Sequence, residues 1–248
     1  MRIVIPQLDS TDTEGFPSSG RALAYPNGLL AYGGDLSVGR LLAAYRRGIF
    51  PWFNPGEPPL WWTPDPRLVL ASDGFKLSRS LRKRLRQLPW TIHADRDFAA
   101  VMRACAAPRA DQDGTWISPL MLRAYSELHR LGHAHSVEVW AGEDLIGGLY
   151  GVAVGRMFYG ESMFSRASDA SKVALLALCR QLQHWDWPLI DCQVETPHLL
   201  SLGAHTLPRS EFEAAIATQT ARDGRVGSWR AAWRFVEVGT LVGLGVGD

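Results

Sequence analysis

Apolar and polar residues change period several times along the chain, and each change marks an element. From Ser37 to Arg47 the apolar positions Leu41, Leu42 and Tyr45 share one helical face, with Ser37 placed to cap the start and Gly48 to end it. The pattern then breaks. Pro51, Pro55, Pro58, Pro59, Pro64 and Pro66 exclude a regular helix or a central strand. Phe50, Trp52, Phe53, Trp61 and Trp62 lie in the same stretch and predict an ordered, aromatic-rich loop. Regular periods resume at Arg67. RLVLA reads as a short strand, residues 76–87 as a basic helix, WTIHA as a strand and Arg96 to Ala106 as a helix. Ser118-Pro119 is a strong helix start, with a run to Gly132.

HSVEVWA, DLIGGLYGVAV and RMFYGES follow as three strands, with turns at Gly142 and Gly155 that suit antiparallel hairpins. A helix over Asp169 to Trp185, the buried strand PLIDCQV and a helix opened by a Ser210/Glu213 capping box complete the regular part. A helix and one further strand after a three-strand meander predict at least one parallel pair. The fold class is therefore mixed α/β (α+β), with a mixed, mostly antiparallel sheet. This element order is that of GCN5-related N-acyltransferases. The expected organisation is a small aromatic- and Pro-rich N-terminal domain over 1–66, a catalytic domain over 67–235, and a poorly ordered tail over 236–248, where GTLVGLGVGD is Gly-rich.

Composition narrows the class. The chain has 248 residues, 46% hydrophobic and 21% charged, which fits a globular protein and excludes a disordered chain, a collagen or a coiled coil. Net charge is only +1, so the overall balance gives no sign of nucleic-acid binding. Ten Trp is an unusual number and needs explaining. No apolar run of membrane-spanning length occurs, and the N-terminus reads without a secretory leader, so the cytosol is expected. Cys105, Cys179 and Cys192 form neither a disulfide framework nor a zinc pattern.

Four constellations offer chemistry. Asp191 and Gln193 alternate onto one face of an apolar strand, either as a pair that orients and deprotonates a nucleophile or as a structural hydrogen-bonded pair. Glu161, in Gly160-Glu161-Ser162-Met163-Phe164-Ser165, sits between a strand and a helix, where α/β folds place ligands, or else serves as a cap. Trp52, Phe53, Trp61, Trp62, Trp116 and Tyr125 could stack on a base or simply pack, and Trp116 is the better candidate because it lies in a loop. Lys76, Arg79, Arg82, Lys83, Arg84 and Arg86 make a basic run that suits phosphates or a solvated face. His133 and His135 read as structural. There is no P-loop, no GxGxxG, no GxSxG and no Cys–His signature. The turn where a coenzyme A enzyme of this fold cradles pyrophosphate reads SRASDAS, without glycine. Coenzyme A-dependent N-acylation of a small molecule is the alternative that this absence weakens.

A longer set of motifs carries a resemblance: PNGLLAYGGDL (26–36), YRRGIFPWF (45–53), LWWTPDPR (60–67), GTWI (114–117), LGHAHSVEVW (131–140), LIGGLYGV (145–152), GESMFSR (160–166), ASK (170–172), LIDCQV (189–194) and SLGA (201–204). In this order they resemble the leucyl/phenylalanyl-tRNA–protein transferases. The resemblance implies transfer of Leu or Phe, and weakly Met, from aminoacyl-tRNA to the α-amino group of proteins or peptides that begin with Arg or Lys, marking them for N-degron degradation. Leucyl- and phenylalanyl-tRNA would be co-substrates, with no cofactor, metal or membrane, and with the chain acting as a monomer.

It also implies site roles. Asp191 would act electrostatically, Gln193 would position, and Glu161 would orient the aminoacyl group or the amine. Trp52, Trp116 and Tyr125 would surround the 3′ adenosine and its ester, with Ser165 nearby. Leu149, Met163, Leu175, Leu178 and Ile190 would line the pocket for the transferred side chain. Lys76, Arg79, Arg82, Lys83, Arg84 and Arg86 would hold the tRNA acceptor stem. Two departures stand out: Arg84 is added to the basic cluster, and Gln87 replaces an expected basic residue. The ending after about residue 222 also departs from the family's usual one.

Overall fold

The computed structural model describes residues 4–107 and 117–242. Two sheets organise it. Near the N-terminus β1 (Gln7–Leu8), β2 (Leu29–Gly33), β3 (Phe50–Pro51) and β4 (Leu60–Trp62) form a four-stranded sheet in the order β1-β2-β4-β3. The expected loop therefore contributes two short strands. Pro51 is tolerated because β3 lies at the edge, where a missing N–H leaves no ladder gap. Helix α1 (Val38–Arg46) is capped by Ser37, whose side chain accepts from the Arg40 N–H.

The second sheet has seven strands: β5 (Arg67–Ala71), β6 (Thr91–Ala94), β7 (Ala134–Ala141), β8 (Asp144–Val154), β9 (Met157–Ser165), β10 (Leu189–Gln193) and β11 (His205–Leu207), in the order β11-β5-β10-β9-β8-β7-β6. Only β9 and β10 run parallel; the other pairs are antiparallel. Meander, helix and parallel strand thus follow one another as the sequence pattern predicts. The helices are α2 (Arg79–Leu85), α3 (Phe98–Ala106), α4 (Pro119–Arg130), α5 (Ala170–His184), α6 (Pro197–Ser201) and α7 (Arg209–Thr220).

Both faces of the large sheet are buried. Tyr150, Val152, Val154 and Tyr159 pack with α1, α3, α4 and α7, while Leu149, Ala153 and Phe158 pack with α2 and α5. This two-sided burial explains why β8 reads as a nearly continuous apolar run instead of a strict alternation.

Four expectations change. The basic helix begins at Arg79 because Ser78 caps it, so Lys76 precedes it. Strand β9 runs to Ser165, held by β8 as far as the Gly147–Ser165 pair, so Glu161 and Met163 lie within a strand. The Ser210/Glu213 capping box does not form. Helix α7 starts two residues earlier, and the carboxylate of distant Asp65 accepts from the Arg209 N–H at 3.0 Å, taking over the cap's task. The tail is also partly ordered. The Ile92 N–H donates to the Val236 carbonyl at 2.7 Å, and Val238–Val242 forms a 3-10 turn with Val238 and Leu241 buried. Residues 243–248 lie outside the described residues.

Candidate active site

Two irregularities in pairing build the site. In the β8–β9 ladder Tyr150 opposes Ser162 and Gly151 opposes Gly160, which leaves Glu161 as the extra residue of a bulge. In the β10–β5 ladder Asp191 opposes Val69 and Gln193 opposes Leu68, which leaves Cys192 as the extra residue. The parallel β9–β10 pairing ends at Asp191–Tyr159, just before both bulges. Bulges re-aim side chains, and these two turn Glu161 and Gln193 toward each other. The Gln193 Nε2 donates to Glu161 Oε1 at 2.9 Å. Gln193 holds a left-handed backbone, φ 63°, which costs a non-glycine residue on the order of 1–3 kcal/mol. Strain of this kind persists where the surroundings over-determine the conformation.

Glu161 is half-buried and also accepts from the Tyr45 hydroxyl at 2.7 Å and the Tyr125 hydroxyl at 3.1 Å. Those two hydroxyls are in turn in contact with each other. Burial raises the Glu161 pKa to about 7; the tyrosine and glutamine hydrogen bonds lower it, and the Asp191 charge raises it. The phenols of Tyr45, Tyr125, Tyr150 and Tyr159 are pushed up by burial, so all four remain protonated.

Asp191 has a different setting from the one its strand position implies. Its carboxylate is fully buried and takes a bidentate pair from Arg67, with Nε to Oδ1 at 2.8 Å and Nη2 to Oδ2 at 2.6 Å. The Arg67 guanidinium lies between the rings of Phe50 and Phe212, 4.8 and 4.7 Å from their centroids. Asp191 Oδ1 also accepts from the Gln193 backbone N–H at 2.9 Å. Asp191 therefore supports the backbone that presents Gln193, and its charge is matched internally.

The other expected residues divide by position. Leu149, Leu175, Leu178 and Ile190 are buried in one apolar cluster, with Met163 packed against it. Trp52 is 47% exposed and tilts against Trp62 with ring centroids 5.6 Å apart. The Ser165 hydroxyl donates to the Ala167 carbonyl at 2.8 Å and accepts from the Ser171 N–H at 3.2 Å, which commits it to the turn into α5. Trp116 lies outside the described residues. Lys76, Arg79, Arg82, Lys83 and Arg86 are exposed, and none of them forms an ion pair among the described residues. Arg84 differs, being paired with Asp169. His135 is buried and its Nδ1 lies 3.0 Å from Asp95 Oδ2, an oxygen that also accepts from the Trp229 N–H, so it ties the C-terminal segment to the sheet.

Tyr45 and Arg67 are members of the cluster that sequence reasoning missed. A signal existed for Arg67. A cation and a carboxylate, each inside an apolar strand, need partners, and each is the simplest partner for the other. A cavity of about 300 Å³, with Phe16, Arg46, Arg47 and Glu213 in its wall, holds none of the expected site residues. Among the described residues no group of His, Cys, Asp or Glu is arranged to hold a metal ion, and no helix is long and apolar enough to cross a membrane.

The parallel pairing ends just before a carboxyl raised toward neutrality, on a strand whose Met163 packs against an apolar cluster, a setting that suits the class of enzymes that move a proton beside an apolar group. Comparison with known proteins makes the class specific. A family model described as leucyl/phenylalanyl-tRNA protein transferase matches residues 69–217, and the model of its N-terminal domain matches residues 34–65. The leucyl/phenylalanyl-tRNA–protein transferase of Nitrosomonas europaea is 58% identical over 214 residues, 86% of this chain and 91% of that protein. Its counterpart in Xanthomonas campestris pv. campestris is 54% identical over 246 residues, 98% of this chain and 99% of that protein. Among solved structures, L-PGS from Bacillus licheniformis aligns over 67% of this chain and 53% of its own at 10% identity, with a TM-score of 0.39. The chain belongs to the leucyl/phenylalanyl-tRNA–protein transferase family.

Proposed function

We propose that the chain transfers Leu or Phe from aminoacyl-tRNA to the α-amino group of proteins beginning with Arg or Lys, and so marks them for degradation through the N-degron route. The observation that carries the reading is Glu161, a carboxyl with a pKa of about 7 held between two tyrosine hydroxyls and Gln193. A base poised near the working pH suits such a reaction, because an amine with a pKa of roughly 7.7–8.0 keeps a reactive neutral fraction near neutrality and must still lose a proton as the amide forms.

The neutral amine attacks the ester carbonyl carbon, forming the C–N bond. Glu161 takes a proton from that nitrogen. As the C–O bond breaks, the proton passes to the departing ribose oxygen, so the carboxylate is regenerated. Tyr45 and Tyr125 hold the carboxylate in one orientation throughout. Gln193 positions it from the other side, and the Arg67–Asp191 pair fixes the Gln193 backbone. The cluster of Leu149, Met163, Leu175, Leu178 and Ile190 takes the transferred side chain, and methionine suits a pocket accepting two shapes. The ester is already activated, so the reaction calls for neither a nucleotide cofactor nor a metal.

The turn before α5 supports this donor over coenzyme A. Asp169 stands there with Arg84 and Lys172 paired to it, which puts a carboxylate where a pyrophosphate would need open N–H groups. The test is direct. Leucyl-tRNA with a labelled leucine and a peptide beginning with Arg should give labelled peptide, and acetyl-coenzyme A should give no heat of binding. Folded protein that yields no product contradicts the proposal.

A further inference from the structure

Arg84 departs from the rest of the basic cluster in both sequence and geometry. Its guanidinium turns from the α2 surface to the connection between β9 and α5. Nη1 pairs with the Asp169 carboxylate and lies 3.3 Å from the Ser168 hydroxyl, while Nη2 donates to the Ser168 carbonyl at 3.3 Å. The other Asp169 oxygen accepts from Lys172 Nζ at 2.8 Å. Asp169 adopts a left-handed backbone, φ 71°, as the N-cap of α5, and its side chain makes no cap bond there. The carboxylate is thus free of the usual capping duty and serves as the anchor for α2.

The connection is tied at its other end too. The N–H groups of Arg166 and Ala167 donate to the Ile146 carbonyl at 2.7 and 3.2 Å, and Ser165 bridges to Ala167 and Ser171. It leads back along β9 to Met163 and Glu161, and forward into α5 with Leu175 and Leu178. Leu81 and Leu85 pack α2 into the apolar cluster, and Arg84 adds a polar link from the helix that carries the exposed cations to the connection between β9 and α5.

We infer that Arg84 is a positioning residue: acting through Asp169, it fixes α2 relative to the aminoacyl cluster without touching the donor. This rests on the reading of α2 as the tRNA-holding face. A donor held at two points, by its phosphates on α2 and by its amino acid in the cluster, reacts efficiently only when the two are in register, since small misplacements cost large factors in rate. Loosening the brace leaves the phosphate contacts of Arg79, Arg82, Lys83 and Arg86 in place, but the ester carbonyl is no longer aligned with Glu161. A donor that lacks the acceptor stem does not sense the position of α2.

The experiment compares two donors, leucyl-tRNA and 3′-leucyl-adenosine, with Arg84→Ala, Arg84→Lys and Asp169→Asn. In Arg84→Ala and Asp169→Asn the ratio of kcat on leucyl-tRNA to kcat on leucyl-adenosine should fall roughly tenfold. The KM for leucyl-tRNA and its salt slope should stay near wild type, and Arg84→Lys should recover part of the ratio. Equal losses on both donors would reduce Arg84 to a folding role and overturn the inference. So would a salt slope shallower by about 0.7–0.9 with kcat retained, the mark of a direct phosphate contact, or no change at all. Arg82→Ala and Lys83→Ala probe the underlying reading separately: a salt slope unchanged in both removes α2 from the tRNA interface and withdraws the premise.

Discussion

Glu161 shows how neighbours set the proton affinity of one residue. Burial favours the neutral acid, three hydrogen bonds favour the carboxylate, and the balance settles at about 7. The same balance has a cost in stability with a definite sign. The folded-state pKa lies above the ordinary value of 4.5, so the folded state holds the proton longer than the unfolded chain does. The Glu161 contribution to wild-type stability should therefore fall as pH rises from about 4.5 to about 7, by an amount on the order of 3 kcal/mol. Denaturant melts across that range should show the decline in wild type and lose it in Glu161→Gln. A decline of equal size in both proteins would mean that another group is responsible.

At this scale the sequence was partly legible. Asp191 and Gln193 stood out because polar groups in an apolar strand demand partners, and Glu161 because it falls between a strand and a helix, where α/β folds place ligands. Tyr45 did not, because a tyrosine on an amphipathic helix face counts equally well as core, and only the fold shows its hydroxyl reaching Glu161. Arg67 was hidden by its place beside Pro64 and Pro66, where a cation reads as surface. Asp191 was seen, but its partner was not: Arg67 pairs with its carboxylate, which also accepts from the Gln193 backbone N–H.

At the scale of elements the two bulges matter most. Periodicity located the strands, the meander and the parallel step, but a bulge adds one residue without changing the apolar pattern enough to be seen. Gly151 is where the β8–β9 bulge meets its limit. A Cβ there would lie 2.2 Å from the Tyr159 carbonyl oxygen and 2.6 Å from the Phe158 ring. Gly151→Ala should lower stability by about 1–3 kcal/mol, and displacing Glu161 should cost activity beyond that loss. Gly20→Ala, where the nearest atom is 3.8 Å away, should be close to neutral. Thermal melts and transfer rates on both variants check this; equal effects would mean that the tight fit around Gly151 is irrelevant. Capping followed the same rule. Ser37 and Ser118 cap as their sequence context predicts, Ser78 caps a helix expected to begin at Lys76, and α7 is capped from 144 residues away by Asp65, which no local pattern reveals.

Across the whole molecule, the site depends on both sheets. Tyr45 comes from α1, which lies between strands of the small sheet in the chain, and Phe50 in that sheet covers Arg67. The aromatic excess follows the same division. Trp61 and Trp229 are buried, whereas Trp52 is exposed beside the small sheet. Net charge averages away a local feature, since five exposed cations cluster between residues 76 and 86 in a chain of charge +1. If α1 tunes the base from outside the large sheet, Tyr45→Phe should act on proton affinity. The Tyr45 hydrogen bond lowers the Glu161 pKa, so its loss should move the pH–rate profile to higher pH, with much of the rate recovered there. A uniform loss at all pH values would instead mark a packing role.

The central claim is that Glu161 takes the amine proton, and the pH dependence of transfer tests it most directly. Leucyl transfer to an Arg-initiated peptide should show two rising limbs in the wild-type protein, one near 7 from Glu161 and one at roughly 7.7–8.0 from the acceptor amine. Glu161→Gln should lose the first limb, keep the second and run roughly 10²–10⁴-fold slower. A Glu161→Gln protein with the wild-type rate and both limbs intact would contradict the account.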